Sequence, residues 1–564
     1  MSIVALSDGT DSKITEQDLR ELASQLNVSS LNSQDAKDYL TLLRSFEAIM
    51  KSIEDAPDYT PPELRPQSTT EPRNFWRPRP DENPFNAWSY RCDMLSASPT
   101  SDLLAGYSVA IKDNISVGGL PTTLGIPLSL FPNSNFYPIS PIDATVVSRI
   151  LAAGGVIKGT STCESFCASP LSFTSATGPV HNPLLHGYTA GGSSSGSAAL
   201  VAANRLASTR GGSWGQTVDL AIGSDQAGSV RIPASYNGIY GLKPTFGLVP
   251  YTGAASMSPM IDHIGPLAAT LEGIAALLEV MAGYDGYDPR MTPETPLKHQ
   301  VKPYLAMLKQ LRQNICTVFG PGEKLKVGLL KEAFYMPGVA EEVRNTVYRE
   351  TKRCFEAVDA SVVEVSIPMH QQGPAIWTAA TRPSMSSYLC QGNPSGHLSY
   401  SSPHTQLKWP PSQETYDTLT LNNPAVVNIM VSERFARNQV APGLVAKAHR
   451  KVFELRAAYD HALESVDVLV TPCAPTVAMP HPPEGGEAPI LDRLGVAVGL
   501  TSNTCPFNVT GHPGLSVPCG FSTGKDQNEV PLPIGMQIVG RRWADEKVLE
   551  AAALFEKGRE IVEA

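Results

Sequence analysis

The sequence predicts an α/β protein: a large mixed β-sheet with helices on its faces, preceded by a small helical appendage. Three observations carry this. From about residue 100 to the end, short apolar strand-like runs alternate with helical periodicities, the pattern of helices packed on a sheet. Residues 14–26 and 32–54 repeat apolar positions at helical spacing with no strand between them. Glycine (45) and proline (48) are frequent but below low-complexity levels, so many turns punctuate a folded chain.

Taken in order, the two N-terminal helices are followed at 57–84 by eight prolines, read as an extended linker or wrapping arm. This makes 1–85 one unit, an N-terminal helical domain with its Pro-rich arm, and 86–564 the other. Within the latter, 108–111 reads as a buried strand, 144–153 as a helix, and 156–158 as a strand after Gly154-Gly155. A helix at 194–206 and a strand at 218–222 follow. Strand 325–330, helix 339–358 and strand 361–367 form a βαβ unit. Strands are expected at 466–470, 515–519 and 536–540, and a last helix from about Ala544. The most apolar helical stretch, 267–283, is interrupted by Glu272 and Glu279, so it is a core helix rather than a membrane span.

Composition narrows the function classes. With 42% hydrophobic and 17% charged residues, the 564-residue chain is globular rather than disordered. Lys+Arg 44 against Asp+Glu 54 gives a net charge of −10, which argues against an electrostatic nucleic-acid binder. The start, MSIVALSDGTDSK, has neither the basic nor the apolar region of a secretory signal. Nine cysteines, an odd number without a CxxC pair, suit reduced thiols in a cytoplasmic protein. The eleven histidines show no metal-ligand spacing, so no metal is expected. His263 and His512 lie near Gly/Pro turns and read as structural.

Four features bear on chemistry. Gly187–Ser197 is a Gly/Ser run opening directly into an apolar helix, which favours exposed N–H groups and hydroxyls over a flexible linker. Its Gly192-Ser193-Ser194-Ser195-Gly196 formally matches a nucleophile elbow, but the turn-rich 181–190 supplies no strand before it. The segment 221–233 (AIGSDQAGSVRIP) follows a strand and precedes a helix. Its successive N–H groups, Gln226 to Ser229, form an anion nest with a serine at the end, suited to attack on a carbonyl; the plain alternative is a tight turn capped by Ser229. Lys112 ends an apolar strand. Drawn inward it would serve as a neutral base, since burial disfavours the charged form; left outside it would snorkel. With no histidine base evident, a serine hydrolase would depend on Lys112.

Together these segments resemble the amidase signature family. AIKDN (110–114), TAGGSSSGSAA (189–199) and GSDQAGSVRIPASYNGIYGLKPTFGLVP (223–250) occur in the family's order. DVLVTPCAP (467–475) and NVTGHPGLSVPCG (508–520) add two family-like segments, so the likeness spans about 85–560. It is most similar to the nitrile-hydratase-linked amidases, which carry an N-terminal helical domain. The resemblance implies an α/β/α sandwich, no cofactor, and hydrolysis of a small-molecule amide through a Ser–cis-Ser–Lys triad and an acyl-enzyme. By motif position Lys112 is the base, Ser193 the bridging serine with a cis peptide, and Ser229 the nucleophile. The oxyanion hole falls on the N–H groups of Gln226, Ala227, Gly228 and Ser229. Gly191, Gly192, Ser194, Asp225 and Arg231 take supporting roles: Ser194 within the relay, Asp225 and Arg231 as a pair holding the turn. The same triad also suits a carbamate, ester or hydrazide hydrolase, or an amidotransferase subunit.

Three differences from the family stand out. Ser195 replaces a frequent glycine. Ala227 replaces another in the oxyanion turn, where a positive φ would strain it. About a dozen extra residues, around 205–217, are expected as a surface loop or as a contact with the partner in a homodimer. Likeness is weakest over 300–440, a candidate small subdomain.

Overall fold

The computed structural model describes residues 12–133, 135–212, 214–314, 324–393, 407–482, 488–523 and 530–564. It divides into two compact units, Met1–Pro62 and Glu63–Ala564.

The smaller unit holds α1 (Glu16–Gln25) and α2 (Ser33–Glu54). Thr15 caps α1 in a capping box with Asp18, and the Asn32 side chain accepts from Gln34 and Asp35 N–H at the start of α2. The boundary falls at Pro62 rather than at residue 85. Residues 66–85 are tied into the larger unit: Arg73 forms a two-pronged pair with buried Asp143, and β1 (Phe75–Trp76) joins the main sheet. The prolines from Pro66 to Pro84 thus belong to an arm of that unit.

The larger unit is built on a twelve-stranded mixed sheet. Its further strands are β2 (Trp88–Met94), β3 (Ser108–Lys112) and β4 (Val156–Ser161); outside it, β5 (His181–Asn182) and β6 (Leu185–Thr189) form a separate hairpin, so the turn-rich 181–190 does hold a strand, although not one of the main sheet. Next come β7 (Leu220–Ser224), β8 (Tyr240–Lys243), β9 (Ile264–Ala268), β10 (Lys326–Leu330) and β11 (Ser361–Val365). The last are β12 (Val468–Pro472), β13 (Gly514–Ser522) and β14 (Leu532–Val539). Spatial order is β1-β2-β4-β3-β7-β9-β8-β13-β14-β12-β10-β11. Strands β4, β3 and β7 run parallel, as do β12, β10 and β11, while antiparallel pairings join these two sets.

Central strands are buried on both faces, so they read as continuous apolar runs rather than alternations. All residues of β7 and β14 are buried. The covering helices include α3 (Thr145–Ala152), α4 (Ser195–Arg210), α5 (Arg231–Asn237) and α6 (Leu271–Met281). The stretch 267–283 resolves into the end of β9 and the buried α6, in keeping with a core helix. No described helix is long and apolar enough to cross a membrane. α7 (Tyr304–Gln313) and α8 (Glu341–Ala357) follow, α8 crossing between β10 and β11.

Residues 205–210 are not loop: α4 runs on to Arg210, and only the described residues of 211–219 are irregular. Residues 300–440 do not separate as a compact unit. They supply α9 (Gly373–Leu389), α10 (Gln413–Asn422) and α11 (Pro424–Gln439), with α12 (Pro442–Ala462) packed on α9. α13 (Ile490–Gly495), α14 (Cys505–Thr510) and α15 (Asp545–Glu563) complete the chain.

Candidate active site

The site lies where parallel strands β4, β3 and β7 end together, the edge at which open α/β sheets present ligands. Their last residues are Ser161, Lys112 and Ser224. Lys112 is fully buried, drawn inward by the apolar strand it ends. Its Nζ donates to Ser193 Oγ at 2.8 Å, to Ser224 Oγ at 2.8 Å and to the Ser224 carbonyl at 3.3 Å. Beside it, Asp113 accepts from Ser89 and Thr123, and burial raises it to about 6.

Ser193 sits in a turn packed too tightly for side chains at the glycines before it. The Gly192–Ser193 peptide is cis and Gly191 has φ +74°. A Cβ on Gly192 would come within 2.4 Å of the Ser169 carbonyl. Ser194 binds backbone rather than the relay: its N–H donates to the Ser229 carbonyl and its hydroxyl to the Ser224 carbonyl. Ser195, the departure from glycine, donates to Glu164 Oε1 at 2.8 Å. Glu164 also accepts from Thr174, and burial raises it to about 7.

The nest at 225–229 has every peptide plane fixed from outside. Asn508 Nδ2 holds the Asp225 carbonyl, Trp377 Nε1 of α9 that of Gln226, Thr504 Oγ1 that of Ala227, and Ile232 N–H that of Gly228. In a trans peptide the N–H points opposite its carbonyl. Each clamp therefore aims the next residue's N–H. The Gly228 N–H goes to Asp225 Oδ1 at 2.8 Å, so it is committed to the turn rather than to an oxyanion. The N–H groups of Gln226, Ala227 and Ser229 have no acceptor among the described residues. Gly228 has φ +138°, and a Cβ there would meet Thr504 Oγ1 at 2.4 Å. Ala227 is not among the residues with positive φ, so the alanine carries no such strain.

Asp225 and Arg231 do form a buried pair. Arg231 Nε donates to Asp225 Oδ2 at 2.9 Å and Nη2 to Oδ1 at 2.8 Å. Burial would raise Asp225, but the Arg231 charge and the bonds from Arg231 and Asn508 outweigh it and hold the carboxyl well below its usual range.

A pocket of about 180 Å³ opens on this turn, lined by Gly192, Gln226–Ser229 and side chains of α9 and α11. Ser229 faces it; no hydrogen bond joins Ser229 and Ser193 among the described residues. Cys167 also lines it. The neighbouring Cys163 thiol and Lys112 lower Cys167 against the effect of burial. His263 and His512 lie outside the pocket lining, each bonding locally, His512 to Thr510 and Asp460. Ser224, Glu164, Trp377 and Cys167 do not stand out in the sequence as site residues. Ser224 lies inside the 223–250 motif, and the Cys163-x₃-Cys167 spacing is a signal that could have found Cys167; Trp377 has none.

A buried lysine bonded to one serine, near a pinned nest that ends in a second serine, is an arrangement able to transfer an acyl group. The amidase family model matches residues 90–549. The chain is 35% identical over 492 residues to an enantioselective amidase of Rhodococcus rhodochrous, covering 86% of this chain and 85% of that protein. It is 33% identical to a glutamyl-tRNA(Gln) amidotransferase subunit of Methanosarcina barkeri, covering 80% and 85%. Among solved structures, the corresponding glutamyl-tRNA(Gln) amidotransferase subunit of Thermotoga maritima superposes with TM-score 0.59 at 27% identity, over 79% of this chain and 82% of that one. The chain belongs to the amidase signature family and is an enzyme of amide-bond hydrolysis.

Proposed function

We propose that this chain hydrolyses a small-molecule carboxylic amide to the acid and ammonia, or an amine, through a Ser229–Ser193–Lys112 relay and an acyl-enzyme. The observation that carries it is the 2.8 Å contact of Lys112 Nζ with Ser193 Oγ beside the Ser229 nest. Ser193 takes the Ser229 proton as it passes its own to Lys112, and Ser229 Oγ adds to the amide carbon. The carbonyl oxygen becomes an oxyanion facing the N–H groups of Gln226, Ala227 and Ser229. Collapse breaks the C–N bond, and the nitrogen leaves with the proton returned through Ser193. Water then adds to the ester, giving up its proton to the same relay, and the acid departs as Ser229 regains its hydrogen. The route calls on no metal or organic cofactor. Catalytic hydrogen bonds often tighten only in the substrate complex, and the scheme requires Ser193 and Ser229 to come within that reach.

The two-helix unit and the 223–250 motif support the nitrile-hydratase-linked subtype with its N-terminal helical domain. The eight described cysteines, all free, support a reducing, cytoplasmic location. Labelling with a serine-reactive fluorophosphonate, mapped by mass spectrometry, should mark Ser229, and a panel of amides, esters, carbamates and hydrazides should show amides turned over best. Amide turnover with Ser229 unlabelled would overturn the assignment. The likeness to glutamyl-tRNA(Gln) amidotransferase subunits supports a second reading, in which the chain releases ammonia for a partner. Glutaminase activity that appears only with a partner would favour it.

A further inference from the structure

One group in the pocket wall has no part in this scheme. Arg382, on α9, lines the pocket that Ser229 faces. Its Nε is buried without a hydrogen-bond partner, and among the described residues its guanidinium forms no hydrogen bond or ion pair. Burial, unopposed by any carboxylate, lowers its pKa. None of the described residues lining the pocket is acidic. The residue as a whole is only partly buried, and only its Nε is fully shielded; an arginine presents a planar fork matched to a carboxylate. Around it the wall is largely apolar, with Ile232, Met257, Trp377, Met385 and Ile429.

We infer that Arg382 is the specificity residue of this pocket: it receives the carboxylate of the substrate. The preferred substrates are then amides bearing a carboxylate at the far end of a short apolar frame, such as monoamides of dicarboxylic acids. This rests on the hydrolase reading above. Two parallel N–H···O bonds at Arg382 would fix one end of the substrate, and the amide at the other end would face the Ser229 turn.

The test compares glutaramate with pentanamide, its uncharged counterpart, on the full chain and on Arg382→Met and Arg382→Lys. The wild type should favour glutaramate by at least about tenfold in kcat/KM, and Arg382→Met should lower that preference by about a hundredfold, chiefly through KM. Arg382→Lys should restore part of it. Equal losses on both amides, or a wild-type preference for pentanamide, would overturn the inference. Calorimetry of glutaramate on Ser229→Ala, with and without Arg382→Met, separates binding from turnover. Binding that weakens about tenfold or more without Arg382 supports the anion site even if no amide is hydrolysed, in which case only the hydrolase reading fails. Binding indifferent to Arg382 overturns the inference whatever the turnover.

Discussion

Arg231 and Arg382 both stand at the Ser229 turn and its pocket, Arg231 fully buried and Arg382 partly, and they differ in what meets them. Arg231 donates to Asp225 twice, to Asn508, to Gln537 and to the Thr504 carbonyl. Arg382 donates to nothing among the described residues. The Ser229 turn is thus completed by the chain itself, while the pocket wall also holds a charge that the fold leaves unpaired. A buried charge stabilises a fold only when its partners are folded with it. Arg231 is therefore part of the architecture, and Arg382 is open to a ligand.

The largest effect probes the completed turn. Ser229→Ala and Lys112→Ala should each lower kcat for amides by at least about a thousandfold, with a native circular dichroism spectrum. Near wild-type turnover in either would break the contrast at its root. Next comes stability. Arg231→Met leaves the Asp225 carboxylate buried and unpaired, which should cost about 3–5 kcal/mol in urea unfolding. The same change at Arg382 removes an unpaired charge, so its unfolding midpoint should hold or rise. Comparable losses at both sites would erase the distinction.

Glu164 sharpens the comparison through pH. Burial raises it to about 7 from an ordinary 4.5, so between these values the folded chain keeps a proton that the unfolded chain releases. Its contribution to stability is full below about 4.5 and is lost as pH rises through 7. The gap between the values corresponds to about 3 kcal/mol. Tm measured from pH 5 to 8 should shift in favour of Glu164→Gln relative to wild type as pH rises; parallel curves would show that Glu164 ionises as freely as an exposed carboxyl. The smallest effect belongs to Trp377→Phe, which loses the bond holding the Gln226 carbonyl. About 1 kcal/mol should appear in kcat rather than KM, because the clamp aims the Ala227 N–H at the developing oxyanion.

Much of the sheet was legible because its strands are apolar on both faces and bounded by glycine: 108–111, 156–158, 218–222 and 325–330 each lie within or overlap a strand. Other elements were masked by their own chemistry. β2 buries Ser89 and Arg91 among its apolar residues, so it has no apolar run to read. β9 merged with the apolar stretch of α6. Helix α12 buries only Val452, Leu455 and Tyr459 over 21 residues, too faint a stripe to stand out. The positions of the proposed relay stood out because their motifs are local in sequence. Their setting did not: the clamps on the nest come from residues 377, 504 and 508, far along the chain from 226.

By itself, then, the sequence determined the α/β class and the family, and it singled out Lys112, Ser193 and Ser229 for the proposed relay, because strand periodicity and turn chemistry are written within short segments. Only the tertiary structure decided which amides of the nest stay open, that Gly228 N–H is taken by Asp225, and that Arg382 lines the pocket without a partner. Those facts depend on which peptide planes distant side chains clamp and which charges burial leaves unmatched, and no local spacing encodes either.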